Sequence, residues 1–403
     1  MEQVMQNLLY LTFFMYLISS VAFFISLSNK NKENNKGRLF ERWGIGLAIV
    51  GAVIQVLFII SRIMIGGHFP TSNMFEFSAF LCFTVVLAYI VLYFMYRSAV
   101  LGAFVMPLAV LLLAYASVFP TEVQPLIPAL QSHWLYIHVT TAAVGQGAFG
   151  VGFIAGLIYL IHRYGLDKKG KNVFWLETTM VIVLMFIAFI FVNYVFSALG
   201  YEAKIEHIVK NKNGVLQEAV QDYQIPPLAG PHDGKVVSMD SFLGLKKPLF
   251  EVPTWMEGEQ AAKKFNSVIW SIMIGLVVYG ILRLVLRKRV VAAMHSWVKN
   301  LDADLLDEIS YRSIAIGFPI FTLGALIFAM IWAHEAWGRF WGWDPKETWA
   351  FITWLFYSAY LHLRLSRGWI GSKSAWLAVG GFVIIMINLI VINLVLTGLH
   401  SYA

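Results

Sequence analysis

The sequence predicts an all-α, polytopic integral membrane protein built as a bundle of about ten transmembrane helices, and two observations lead to this prediction. Of its 403 residues, 59% are hydrophobic and only 13% are charged, whereas soluble globular domains average about 45–50% apolar and about 25% charged residues. Apolar stretches of about 20 residues, the length that crosses a bilayer, also recur along the whole chain. The composition therefore excludes an ordinary soluble domain.

The predicted spans form two groups on either side of a polar insertion. Region 1–199 holds six of them, at 8–27, 44–65, 77–96, 100–118, 138–161 and 176–199. Region 265–403 holds the other four, at 265–286, 313–332, 348–364 and 375–397, the fourth and ninth of the ten being the shortest. The first span has no preceding Lys or Arg, so we expect a retained helix and not a cleaved signal peptide.

The basic residues of the loops predict the orientation, because cytoplasmic loops of membrane proteins retain Lys and Arg. Nineteen of the thirty Lys and Arg residues fall on one side of this arrangement, and the short loops of the other side hold only Arg62, Arg339 and Lys346. We therefore expect both termini to be extracytoplasmic. The net charge of +7 then reflects membrane topology, and no nucleic-acid partner is expected.

Residues 200–264 differ in composition from the rest of the chain. They contain nine acidic residues, eight lysines and five prolines. The density of turn residues and the weak periodicity predict an extracytoplasmic insertion loop with little regular structure. We expect a variable spacer, with the docking of a partner as the alternative.

Residues 331–355 contain six of the fourteen tryptophans, in the order IWAHEAWGRFWGWDPKETWAFITWL. An aromatic belt at the membrane interface explains some of them. The glycines and the Asp-Pro pair in the same stretch instead favour a backbone pressed against a large planar ligand on which indoles stack. Arg339 and Lys346 would pair with carboxylates at its edge. Haem has this shape and two propionates, and the residues alone leave both interpretations open.

Three of the ten histidines are candidate haem ligands. His138 and His400 each end a span on the same side as the tryptophans, and imidazoles from separate helices suit axial ligation of one haem iron. An interfacial polar residue and a frayed terminal tail are the alternatives. His362 follows Glu347 by about 15 residues in the ninth span and, at 1.5 Å per residue, lies roughly 22 Å deeper in the membrane than Glu347. This position is too deep for His362 to bind the same iron. An ionisable residue in a span is a functional hypothesis, although an interfacial role beside Arg364 and Arg367 is also consistent.

The tryptophan segment is similar to the WWD signature of haem-handling membrane proteins, and in particular to the CcsA (ResC) family of cytochrome c biogenesis proteins. Four further segments resemble that family in the same order: GHFPTSNMFEF at 67–77, WLYIHVTTAAVGQGAF at 134–149, YLHLRLSRGW at 360–369 and GLHSYA at 398–403. The resemblance covers most of the chain from about residue 40 onward, except 200–264. His334 departs from the pattern, because many relatives carry Asn there, and it adds a candidate ligand.

The resemblance implies cytochrome c biogenesis, with haem b carried across or out of the membrane and presented on an external WWD surface, 331–355, for attachment to the CxxCH thiols of apocytochrome c. It implies His138 and His400 as ligands of the external iron and His362 as one ligand of an inner haem, completed by a CcsB (ResB) partner. The residues expected to contact the external haem are Trp337, Trp341, Trp343, Arg339 and Lys346.

The remaining expectations concern partners and location. Because Cys82 is the single cysteine and cannot form a CxxC redox pair, a separate thioredoxin-like reductant must keep the thiols reduced. The chain would be the haem-binding subunit of a cytochrome c synthase, surrounded by the lipid of a bacterial cytoplasmic membrane, with a thylakoid as the alternative. A haem exporter without a ligation role and a haem subunit of a quinone oxidoreductase are the alternative functions.

Overall fold

The computed structural model describes residues 2–29, 36–123, 126, 130–210, 216–253 and 261–392. Six long helices precede the insertion, as predicted. They are α1 (Glu2–Asn29), α2 (Lys36–Gly66), α3 (Met74–Tyr96), α4 (Ala99–Ala116), α5 (His133–Tyr164) and α6 (Lys171–Ala198).

The second half of the chain is also helical. Its helices are α7 (Ala261–Leu286), α8 (Val290–Val298), α9 (Ala303–Thr322), α10 (Ala329–Trp337), α11 (Pro345–Arg367) and α12 (Ser372–Ile387). A π-helical turn, Leu323–Phe328, joins α9 to α10 without a break, so the two form one rod, Ala303–Trp337. A second π-helical turn, Asn388–Ile392, continues α12.

Nine helices in the described part of the chain are long and apolar enough to cross a membrane. They are α1 to α7, the α9–α10 rod and α12 with its extension. Helix α11, with 23 residues, is long enough but less apolar, because basic residues and a hydroxyl- and indole-rich face lower its mean hydropathy. It corresponds to the ninth predicted span. The prediction of an all-α polytopic membrane bundle is confirmed.

Helix α5 lies at the centre of the bundle, against α3, α9, α12 and the first π-helical turn. Its glycines permit this close packing. A Cβ atom on Gly145 would lie 2.7 Å from the backbone nitrogen of Phe321, and one on Gly147 would lie 2.6 Å from Oγ1 of Thr84. Gly324 of the π-helical turn presses in the same way on the backbone of α5. These glycines of α5 therefore allow close approach of the neighbouring helices.

The insertion contains a small β-unit, so the expectation of little regular structure is wrong. Its strands are β1 (Ala203–Lys210), β2 (Leu216–Tyr223), β3 (Ala229–Gly230), β4 (Lys235–Met239) and β5 (Phe250–Glu251). An antiparallel sheet has the order β2–β1–β4, and β3 pairs with β5 in parallel. In β1 the buried residues Ala203, Ile205 and His207 alternate with more exposed ones, which is the strand period of two. The strands are too short for this alternation to stand out among the surrounding prolines.

Helix α7 anchors the β-unit through buried side chains, among them Asn266 and Trp270. Oδ1 of Asn266 accepts hydrogen bonds from the backbone nitrogens of Leu228 and Ala229, both at 2.8 Å. Its Nδ2 donates to the carbonyl oxygen of Ala229 at 2.7 Å. The β-unit is therefore fixed to the bundle beside the start of α7.

The end of the bundle that carries residues 331–355 is called the tryptophan end. At the opposite end, a paired Arg364 joins α11 to α9: its guanidinium contacts both carboxylate oxygens of Asp307, at 2.8 and 2.7 Å. Asp307 also accepts a hydrogen bond from the backbone nitrogen of Gly371 at 3.0 Å. This ion pair fixes the end of α11 and the turn into α12.

Candidate functional site

A cavity opens at the tryptophan end, between α5 and the α9–α10 rod. Its empty volume is about 1290 Å³, a figure that includes the solvent at its open mouth. One face of α5 lines it with Leu135, His138, Val139, Ala142 and Gln146. The rod contributes Phe321, Ala325, Ala329, Trp332 and Ala333. Residues 71–74, parts of 340–347 and the end of α12 close the other sides.

His138 is held by a tryptophan of the opposite wall. Its imidazole stacks on the indole of Trp332, with ring centroids 5.3 Å apart and an angle of 13° between the planes. Trp332 is buried, and Trp337 packs against it edge-on at 4.8 Å. The stack fixes the orientation of the imidazole in the cavity wall.

The sequence analysis missed Trp332 as a site residue. The signal for it is a stripe of small residues, Ala325, Ala329 and Ala333, spaced by four positions on the side of the rod that faces the cavity. Small side chains on a helix face leave space beside them, and Trp332 lines the same cavity next to Ala333. The π-helical turn preceding α10 shifts this face, which makes the period hard to recognise.

A capping box shapes the loop between the rod and α11. Asp344 is the N-cap, and its Oδ1 accepts from the backbone nitrogen of Lys346 at 3.1 Å. Oε2 of Glu347 accepts from the backbone nitrogens of Asp344, at 3.2 Å, and Gly342, at 2.7 Å. Asp344 and Glu347 thus form a reciprocal cap at the start of α11. The same clamp holds Trp343 at a φ of 57°, a conformation that costs a non-glycine residue about 1–3 kcal/mol.

The loop separates the side chains that the sequence analysis grouped together. Trp341 and Lys346 line the cavity. Trp337 packs behind Trp332, and Trp343 is 68% exposed and meets the ring of Trp341 edge-on at 5.9 Å. Arg339 is exposed, with its guanidinium over Gly342. Two of the five expected contact residues therefore lie in the cavity wall, and the other three surround them.

Lys346 has an unusual electrostatic environment just ahead of the predicted span 348–364. Burial lowers the pKa of its ammonium group to about 8, with a further decrease from nearby Lys264 and an opposing effect from Asp344. A cation in the first turn of a helix also opposes the helix dipole. An anionic group in the cavity would offset both costs.

Three residues of the cavity wall carry a shielded polar atom without a hydrogen-bond partner among the residues that the structure describes. These atoms are Oγ1 of Thr71, Nε1 of Trp341 and Oε1 of Glu347. Each such atom costs about 1–3 kcal/mol. A purely apolar occupant would leave that cost in place, whereas a planar ligand with carboxylates offers acceptors to Thr71 and Trp341. The donor set therefore fits haem.

The other candidate histidines lie elsewhere. His362 is exposed on α11 among apolar residues such as Leu355 and Leu365, which are 47% and 68% exposed. His334 is also exposed and stacks on Phe340, with centroids 4.3 Å apart. His400 lies outside the described residues.

Comparison with known proteins decides the family. The model of the cytochrome C assembly protein family matches residues 71–200 and 268–400. The chain belongs to this family. The two matched ranges include every helix that lines the cavity and leave out all five strands of the β-unit.

Curated relatives agree with this assignment. The cytochrome c biogenesis protein CcsA of Rippkaea orientalis is 33% identical over 361 residues, which cover 89% of this chain and 86% of the relative. The CcsA proteins of Crocosphaera subtropica and of a Nostoc species are each 32% identical, over 363 and 366 residues, again 89% of this chain and 86% and 87% of theirs. The chain is thus an integral membrane protein of cytochrome c biogenesis, a process that handles haem.

Proposed function

We propose that the chain binds haem b in the tryptophan-end cavity, with His138 and His400 on the iron, and presents it for attachment to the CxxCH thiols of apocytochrome c. The observation that carries this proposal is the position of His138. Its imidazole lies flat on Trp332 in the wall of a cavity that also holds the Lys346 ammonium group. The chain is then the haem-binding subunit of a cytochrome c synthase.

The position of His400 in the sequence is compatible with this role. Asn388 and Leu389, in the extension of α12, line the cavity. His400 follows Ile392 by eight positions, and eight extended residues span at most about 26–29 Å. The second axial ligand is therefore within reach of an iron bound beside His138.

The ligation chemistry determines what this chain must supply. In each thioether-forming step, the S–H of a cysteine adds across a haem vinyl C=C, so one C–S and one C–H bond form without net oxidation or reduction. Both thiols must arrive reduced. Cys82 is buried in α3 with its Sγ on the carbonyl oxygen of Ala109 at 3.2 Å, so a thioredoxin-like reductant supplies them. The chain positions haem and thiols, which is the proximity contribution to catalysis.

The exposed His362 suggests a second site that needs a partner. Its surroundings on α11 are apolar and exposed, as expected of a surface that meets another membrane protein. We assign His362 to an inner haem whose second ligand comes from a CcsB-type partner. The cavity then faces the extracytoplasmic side of a bacterial cytoplasmic membrane, where apocytochrome c is available.

The test compares three alanine variants co-produced with a CcsB-type partner and a c-type cytochrome reporter. His138→Ala should abolish holocytochrome formation and the haem spectrum of the cavity, and added imidazole should restore part of the bound haem. His133→Ala is the matched control, because His133 is an exposed histidine at the start of the same helix, and it should behave as wild type.

His362→Ala should differ in kind. The His362→Ala protein should no longer receive haem from the cytoplasmic side in cells. Haem added to the detergent-solubilised variant should still bind in the cavity. Full holocytochrome formation by His138→Ala would refute the proposed function. Release of free haem to the medium without any ligated cytochrome would instead indicate an exporter.

A further inference from the structure

The turn between α2 and α3 forms a cavity wall to which the proposed function gives no role. Residues 67–73, GHFPTSN, connect the two helices, and Thr71, Ser72, Asn73 and the first residue of α3, Met74, line the cavity. This turn has no regular hydrogen-bonding ladder of its own. Its conformation therefore depends on the side chains that hold it.

A buried ion pair holds the turn from behind. Nε of Arg62 donates to Oε1 of Glu76 at 2.8 Å, and each side chain is only 1% exposed. Oε2 of Glu76 accepts from both the backbone nitrogen and the hydroxyl of Ser72, at 2.9 and 2.7 Å. The carboxylate thus joins the end of α2 directly to the cavity wall.

The same arginine also joins a third segment to the wall. Its Nη1 and Nη2 donate to the carbonyl oxygens of Thr121 and Glu122, at 2.5 and 3.2 Å. Asn73 caps α3 by accepting from the backbone nitrogen of Glu76 at 2.9 Å. The network therefore connects the end of α2, the start of α3, the turn between them and the backbone at residues 121 and 122.

Such a network is better suited to fixing a conformation than to stabilising the fold. Burying two charges removes them from water, and well-packed apolar residues of similar volume often stabilise a protein as much or more. What this pair holds directly is Ser72, the residue that follows Thr71 in the turn. Thr71 is 7% exposed, and its Oγ1 is one of the shielded cavity-wall atoms without a partner among the described residues.

We propose that the Arg62–Glu76 ion pair positions the Thr71 hydroxyl to donate a hydrogen bond to a carboxylate of the planar ligand in the cavity. Because Glu76 neutralises Arg62, the pair orients the donor and does not attract the ligand by charge. Thr71 is a binding residue, and Arg62 and Glu76 are positioning residues. The inference rests on the proposed function and adds a second carboxylate contact on the wall formed by residues 71–74.

The first test exploits the opposite effects expected in the empty and loaded protein. Thr71→Val keeps the shape and removes the shielded hydroxyl, so it should raise the melting temperature of the ligand-free protein and weaken haem binding about tenfold. Thr71→Ser, which keeps the hydroxyl, should bind haem within about twofold of wild type. Binding by Thr71→Val that equals wild type would overturn the proposal.

The second test separates positioning from stability. Glu76→Gln breaks the ion pair, and Asp307→Asn breaks the equivalent pair with Arg364 at the opposite end of the bundle. Both should lower the melting temperature, but only Glu76→Gln should weaken the binding of added haem and shift its absorption and electron paramagnetic resonance spectra. Equal binding by the two variants would refute the positioning role.

Arg62→Lys keeps the positive charge and provides a milder variant should Glu76→Gln fail to fold. It loses the bonds to the carbonyls of Thr121 and Glu122, and it should weaken haem binding several-fold; unchanged binding contradicts the proposal. These tests are compared with the binding of added haem by the wild type, which should depend on His138. Its absence would refute the proposed function itself, whereas its presence together with an unaffected Thr71→Val refutes only this inference.

Discussion

At the scale of single residues, the site depends on ring contacts and backbone angles that a sequence reveals only in part. His138 could be found from the sequence because it ends a span on the side of the tryptophans. The exposure of Trp343 could not, because its φ of 57° follows from the clamp that Glu347 places on the loop. Trp332 was missed because its role depends on a face of the rod that a π-helical turn displaces.

Trp332 and Trp341 should matter more for haem binding than Trp343. Trp332→Phe and Trp341→Ala each remove an indole from the cavity wall. One or two stacking contacts contribute roughly tenfold to affinity, so the haem bound per folded molecule should fall by at least half. Trp343→Ala, at a 68% exposed position, should retain full occupancy. Absorbance after gel filtration measures the ratio. Greater loss in Trp343→Ala than in Trp332→Phe would contradict the described geometry.

The Lys346 ammonium group should make the binding of carboxylate ligands dependent on pH. Its pKa is lowered to about 8, so the group is charged below that pH and neutral above it. A carboxylate prefers the charged form, and haem affinity should therefore fall by up to about tenfold per pH unit above 8. Lys346→Arg keeps its charge and should remove this decline.

Haem dimethyl ester provides the ligand control for the pH experiment, because it has no carboxylate for Lys346 to recognise. Its affinity should stay flat across the same pH range in both proteins. A decline with the ester as steep as that with haem would assign the pH dependence to another group, such as an iron ligand.

At the scale of elements, the positions of the helices in the sequence were more predictable than the contacts between the helices. Long apolar runs predicted the spanning helices, and nine helices in the described part of the chain are long and apolar enough to cross a bilayer. The number of glycines in α5 indicated close packing, but the identity of the packed helix on each face, such as Phe321 of α9 beside Gly145, depends on tertiary structure. The strands of the insertion, two to eight residues long, gave too short a pattern to recognise.

A methyl group at Gly145 should destabilise the bundle. Gly145→Ala places Cβ 2.7 Å from the backbone nitrogen of Phe321, and backbone cannot rotate away as a side chain can, so we expect a cost of about 1–3 kcal/mol. Gly46→Ala, on α2 with open space around its Cβ, should be neutral or stabilising by up to about 1 kcal/mol. Thermal unfolding in detergent compares them. Equal melting temperatures would contradict the packing of α5 on α9.

At the scale of the whole molecule, charge defines the two ends of the bundle. Exposed residues such as Lys299 and Arg367 lie at the end opposite the tryptophans, the end for which the basic residues of the loops predict a cytoplasmic location. Sequence alone could predict this partition because basic residues resist transfer across the membrane. It could not predict the lateral order of helices, which depends on side-chain packing in lipid.

Cysteine labelling tests the orientation. Trp343→Cys should react with a membrane-impermeant maleimide in intact cells, whereas Lys299→Cys should react only after permeabilisation. The native Cys82 has no exposed surface and should give little background. The reversed pattern would place the cavity in the cytoplasm, and the proposed attachment to external apocytochrome c would then be untenable.

The unbroken rod from α9 to α10 carries two separate features of the molecule on one helix. Its 35 residues extend about 52 Å, with Asp307 near one end and Trp332 near the other. Gly324 packs on the backbone of α5 between these points. The ion pair of Asp307 and the cavity wall at Trp332 therefore belong to one continuous helix, on opposite sides of its contact with α5.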